Sequence, residues 1–151
     1  MFQKKSLMGI GFTRVFSKMI YLDANFFIFA LLDNTKKGEK SRAIQKEIID
    51  GKYLAFTSPL AIDEVMWVLI KNNKNHLLRN AVEDIYSTPN LEVREISSLA
   101  PLHALGFIET YNLKPRDALH VSIMKQMQLT TIVSDDNDFD KVKGIKRIKL
   151  N

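Results

Sequence analysis

Cysteine is absent from this chain of 151 residues. That excludes a disulfide framework, a zinc–thiolate site and a cysteine nucleophile, and sets the expectation of a reducing, cytoplasmic setting. The three histidines are too scattered along the chain for a zinc site. Long apolar runs are missing too: the longest, Phe26 to Leu32, falls far below the roughly 20 residues of a spanning helix. Nor does a secretory core form near the start, where Arg14 and Lys18 interrupt short apolar pieces. Acidic residues are absent from both ends. Residues 1–18 carry four basic side chains and residues 141–151 carry five, so the net charge of +5 belongs to the ends. The stretch 19–140 holds 13 basic residues against 17 acidic ones. A basic total of this kind is weak evidence for nucleic acid, because solvated tails give the same number.

What remains is ordinary for one globular domain, with 46% hydrophobic and 26% charged residues, no repeats and no linker. Met19-Ile20-Tyr21-Leu22-Asp23 reads as a natural first strand, so residues 1–18 are expected to be a dispensable extension or a misassigned start, and 19–151 the domain. Strands and helices then alternate, the sign of a parallel sheet covered by helices. A strand at 20–22 precedes an apolar helix at 24–33. After the polar break Asn34 to Gly38, a second helix buries Ala43, Ile44 and Ile48 and stops at Gly51. A strand at 53–56 leads to Thr57-Ser58-Pro59, where a serine hydroxyl is expected to cap a helix at 59–71. A further helix ends near Tyr86, and a strand follows at 91–96. Ser97 is expected to cap a helix reaching Tyr111, and Pro115 starts another. A buried strand at 130–133, a loop or single turn at 134–140 and an edge strand at 145–150 complete a three-layer α/β/α sandwich with a mainly parallel central sheet.

Four acidic segments punctuate this order: Tyr21-Leu22-Asp23-Ala24-Asn25, Ile62-Asp63-Glu64-Val65, Pro115-Arg116-Asp117-Ala118-Leu119-His120, and Ser134-Asp135-Asp136-Asn137-Asp138-Phe139-Asp140. In an open parallel sheet, ligands sit outside the carboxyl ends of the strands, where all four segments meet. Converged carboxylates repel unless they share hard cations such as magnesium or manganese. Each acid also has a bland explanation. Asp117 favours its helix dipole, Glu64 is a solvated mid-helix side chain, and Asp135 to Asp140 form a turn. Asp23 is the hardest to explain in that way, since an acid ending a buried strand needs a partner. His120 reads more readily as a helix-packing residue than as part of a site, and Trp67 as a core or subunit contact rather than a base-stacking platform. Lys36, Lys37 and Lys40 read as a solvated loop.

With these motifs in place, the chain from Met19 to Leu150 resembles the PIN domain ribonucleases, particularly the small VapC-type toxins and related stand-alone proteins. The Asp23-x-Asn25 segment resembles the family's first motif, Ser58 with Glu64 its second, Lys114-Pro115-Arg116-Asp117 onward its third, and Ser134-x-Asp136 with Asp138 and Phe139 its fourth. The resemblance implies metal-dependent hydrolysis of RNA phosphodiester bonds, with magnesium or manganese as cofactor. It assigns Asp23 and Asp117 as principal metal ligands, Glu64 as a ligand or positioner of water, and Asp136 with Asp138 as a second, weaker site. Asn25 and Ser134 would orient a carboxylate and a phosphate or water. It further implies an RNA substrate, an antitoxin protein as partner, a homodimer, and no membrane. An RNA-processing nuclease without antitoxin, a catalytically silent PIN-like module that binds RNA or protein, and a receiver-like phosphate-transfer domain stand as alternatives.

Overall fold

The computed structural model describes residues 18–151. The expected dispensability of residues 1–18 therefore concerns, Lys18 apart, a segment outside the described residues. Five parallel strands form one sheet, β1 (Lys18–Leu22), β2 (Tyr53–Thr57), β3 (Leu91–Val93), β4 (Thr131–Val133) and β5 (Lys146–Ile148), in the spatial order β3-β2-β1-β4-β5. Six helices connect them: α1 (Ala24–Leu32), α2 (Lys36–Ile49), α3 (Pro59–Lys71), α4 (Leu78–Ser87), α5 (Ala100–Tyr111) and α6 (Pro115–Gln126). The result is a three-layer α/β/α sandwich.

Alternation along β1 sorts the two apolar layers. Ile20 and Leu22 are fully buried with Ile44 and Ile48 of α2 and with Ile62, Val65 and Leu69 of α3, while α4 adds Ala81 and Ile85. Tyr21, on the other face, packs with Val121 and Met124 of α6, Ala104 of α5, and Ile132 and Phe139. Each fully buried leucine or isoleucine contributes about 1.5–3 kcal/mol. From β1 the chain runs outward to β2 and β3, then crosses back to β4 on the opposite side of β1. The reversal opens a crevice at the carboxyl ends of β1 and β4, the place where such sheets bind ligands.

Several element boundaries differ from expectation for local reasons. Gly38 lies within α2 rather than before it, because Thr35 caps that helix one turn earlier. A Cβ at Gly38 would come within 1.8 Å of the Asp33 carbonyl oxygen, so only glycine lets the end of α1 approach α2. Ala43 is exposed; the buried stripe of α2 is Ser41, Ile44 and Ile48, spaced by three and four residues, and Ala43 falls off that stripe. The strand expected at 91–96 stops at Val93, although the Arg94 N–H still reaches the Thr57 carbonyl at 2.9 Å. Ser97 does not cap α5. It receives the Leu99 N–H in a turn, and the helix begins only at Ala100, with Pro101 fitted to its first turn. Trp67 is half exposed rather than buried in the core, with Lys71 placed 4.7 Å above its ring. No helix among the described residues is long and apolar enough to cross a membrane.

Candidate active site

Two prolines and two strand ends place the acids on one rim. Pro59 and Pro115 fix the first turns of α3 and α6, where a missing N–H costs nothing. Glu64 therefore stands in the second turn of α3 and Asp117 in the first turn of α6. Asp23 follows β1 directly, and Ser134 follows β4, its paired neighbour.

Asp23 is almost fully buried and caps α1, accepting the Phe26 N–H at 3.3 Å through Oδ1. Its Oδ2 accepts a short hydrogen bond from the Ser134 hydroxyl. The same Ser134 oxygen accepts the Asp136 N–H at 3.0 Å, so one serine ties the first motif to the fourth. Loss of water raises the Asp23 carboxyl from the ordinary 3.8 to about 6; the Ser134 bond and the nearby His120 oppose that rise, and the charge of Glu64 adds to it. Asn25, half-buried as the second residue of α1, makes no side-chain hydrogen bond among the described residues.

The outer part of the rim holds Asp117, Asp136 and Asp138, each offering a carboxylate oxygen within 4.8 Å of the other two. Asp117 Oδ2 is buried and has no hydrogen-bond partner, an expensive arrangement for an acceptor that only accepts. Desolvation and the neighbouring charge of Asp136 raise its carboxyl to about 6. The fourth motif is held firmly. Asp136 caps a short 3-10 turn at Asn137–Lys141 and accepts the Asp138 N–H, while Asp138 accepts from Lys141 at 2.7 Å. Asp135 points elsewhere and pairs with Lys37 of α2 at 2.6 Å. Asp63, beside Glu64 in sequence, is exposed.

A hard divalent cation fits this donor set. Three carboxylates converge, one of them carrying a buried, unpartnered oxygen, and the set offers only oxygen, since cysteine is absent and both ring nitrogens of His120 are already engaged. Asp23 and Glu64 stand near each other at the end of β1, the charge of Glu64 acting on Asp23, but neither joins the group of three.

Sequence reasoning passed over two parts of the site. His120 is buried, and its Nε2 lies 2.9 Å from Glu64 Oε1 while Nδ1 meets the Tyr21 hydroxyl at 2.8 Å. The Tyr21 hydroxyl in turn meets Ser58 Oγ at 2.8 Å, so Ser58 does not cap α3 as expected; its hydroxyl is turned into the site. The signal for His120 was its place three residues after Asp117, on the same helical face. The second omission is Arg147, on β5. It grips Asp140 with two N–H groups and donates to the Ser134 carbonyl, locking the loop from behind.

Residues 20–145 match the profile of the PIN domain. The chain belongs to the PIN domain family. Ribonuclease VapC2 of Methanocaldococcus jannaschii is 28% identical over 143 residues, spanning 87% of this chain and 93% of that protein. Ribonuclease VapC13 of Mycobacterium tuberculosis is 26% identical over 132 residues, spanning 86% and 99%. Among solved structures, VapC20 of Mycobacterium tuberculosis, a toxin that cleaves the sarcin-ricin loop, superposes with a TM-score of 0.68 at 14% identity, covering 80% of this chain and 92% of that one. The VapBC2 complex of Rickettsia felis, bound to a DNA fragment from its promoter, also gives 0.68 at 14% identity, with 87% and 98% covered. At such identity these structures establish the shared fold. The PIN domain assignment agrees with the family resemblance read from the sequence.

Proposed function

We propose that this chain is a divalent-metal-dependent endoribonuclease and the toxin of a toxin–antitoxin pair. The observation that carries the reading is Asp117, which has a buried, unpartnered oxygen and converges with Asp136 and Asp138 at the sheet crevice. Relatives named as VapC ribonucleases support RNA as the substrate, and the toxin–antitoxin complexes of like fold support an antitoxin as partner. Magnesium or manganese suits an all-oxygen set, and the place of action would be the cytoplasm, where the RNA is.

Asp117, Asp136 and Asp138 would hold the cation, with Asp23 and Glu64 completing the inner side. When bound, it supplies Lewis-acid activation of water and neutralises charge on the phosphate under attack. The protein's own part is to keep those carboxylates fixed and partly dry. Ser134 restrains Asp23, and its oxygen restrains the backbone of Asp136. Lys141 restrains Asp138, and His120 restrains Glu64. Lys114, exposed at the start of α6, stands close enough to influence both Asp117 and Asp138 and offers a cation to the RNA backbone.

The test incubates purified protein with a pool of cellular RNAs, with and without manganese or magnesium, and maps new 5′ ends. Metal-dependent ends are expected, reduced by about two orders of magnitude or more in Asp23→Asn and Asp117→Asn, the scale of losing a main electrostatic stabiliser. Undiminished cleavage by folded variants would remove these residues from the mechanism. Co-expression with the product of an adjacent gene encoding a small DNA-binding protein should abolish toxicity; toxicity that no such partner relieves would favour an RNA-processing nuclease.

A further inference from the structure

Glu64 is a long, flexible side chain, yet it is only 20% exposed and flanked by the buried Ile62 and Val65. Its one hydrogen bond among the described residues is to His120, through Oε1, and its charge stands close enough to Asp23 to act on that carboxyl. His120 is itself 2% exposed and clamped on two sides, by the Tyr21 ring at 5.6 Å and the Phe139 ring at 6.5 Å between centroids. Both its nitrogens are used. A carboxylate only accepts, so Nε2 carries the hydrogen toward Glu64; in the neutral imidazole Nδ1 then accepts from the Tyr21 hydroxyl, whose oxygen accepts from Ser58. The result is one directed chain of hydrogen bonds, Ser58 to Tyr21 to His120 to Glu64, crossing from the ends of β1 and β2 to α6 and α3.

We propose that His120, braced by Tyr21 and Ser58, is a positioning residue that holds the Glu64 carboxylate on the acidic rim beside Asp23. This rests on the nuclease reading above and extends it. A residue whose purpose was to fill the core would gain nothing from four polar atoms in a buried space bordered by the Phe139 ring, where every unpaired group is costly. Without His120, the three torsions of Glu64 are free to carry its charge out to water. A partner that orients a metal-site carboxylate in this way is commonly worth ten- to a hundredfold in metal affinity or activity.

Two substitutions at one position separate positioning from packing. His120→Leu fills most of the volume and removes the donor, whereas His120→Gln places an amide N–H near the position of Nε2. Positioning predicts that Leu lowers kcat about tenfold or more with little change in KM, weakens manganese binding measured by calorimetry, and that Gln recovers a large part of both losses. Packing predicts the reverse order. Tyr21→Phe keeps the ring and removes the hydroxyl, and should weaken manganese binding by about threefold. It also carries the test if His120→Leu fails to fold. In a Glu64→Gln background, either change should alter manganese affinity by less than twofold, because the group being positioned has lost its charge. Equal losses in both backgrounds, or a Leu variant as active as the wild type, would overturn the proposal. Wild-type protein that binds manganese and cleaves no RNA would sink the nuclease reading alone, while the manganese cycle would still judge the relay.

Discussion

Asp135, Asp136 and Asp138 stand within four residues of one another and face different partners. Asp136 and Asp138 share a cluster with Asp117, whereas Asp135 is drawn off by Lys37. Asp136→Asn should therefore impair RNA cleavage strongly and Asp138→Asn moderately, with partial rescue of both at high manganese. Asp135→Asn should change the rate little and cost under about 1 kcal/mol in stability, as for other half-exposed ion pairs. A cleavage assay across a manganese series checks the order; severe loss at Asp135 alone would contradict it. The raised carboxyls of Asp23 and Asp117 add a pH dependence. Each holds its proton more tightly in the folded state, up to about 6 against the ordinary 3.8. Their contribution to stability is present below about 4 and is lost as pH rises through 6. In chelator, the melting temperature of the Asp23→Asn, Asp117→Asn variant, relative to wild type, should thus rise between pH 5 and 7.5. A difference that stays constant across that range would refute the assignment. At this scale the sequence showed Asp23, Asp117 and the fourth motif, because their types and spacings mark strand and helix ends. It concealed Tyr21 and His120, which look like core residues until the sheet sets them 99 positions apart in sequence and 2.8 Å apart in space.

Elements were legible where side-chain chemistry acts locally. Proline at the first helical position marked the starts of α3 and α6, and the apolar runs of β1, β2 and β4 marked buried strands. Elements were misread where tertiary approach decides. Gly38 looked like a breaker because glycine usually is one, yet it serves inside α2 as the point where two backbones nearly touch. Gly38→Ala should cost about 2 kcal/mol or more, far beyond the usual gain from helix propensity, and lower the melting temperature sharply. A neutral or stabilising effect would mean that α1 and α2 separate more easily than their contact suggests. Ser58 shows the same limit, since a serine before proline caps a helix only if nothing better claims its hydroxyl, and Tyr21 does.

Among the described residues, the basic C-terminal stretch is not a solvated tail. Lys141 and Arg147, part of the basic C-terminal stretch, fold back on Asp138 and Asp140, and Lys37 reaches Asp135 from α2. The acidic rim is thus framed by cations that the linear charge count assigned to a solvated end. At the other end, we propose that the domain begins at β1 and that residues 1–18 are dispensable. Lys18 is exposed and contributes only the outermost pairing of β1, with Tyr53. A chain starting at Met19 should keep both fold and cleavage; loss of either would place residues 1–18 within the working protein.

We propose that Asp23, Asp117 and their neighbours form one divalent-cation site. A ligand that binds only the folded state raises its melting temperature by mass action. The direct measurement is the melting temperature against manganese concentration for the wild type and for the Asp23→Asn, Asp117→Asn variant. The wild type should climb steadily with manganese, while the variant, no less stable in chelator, should stay nearly flat. An equal climb in both proteins would show that the metal binds elsewhere and would contradict the account.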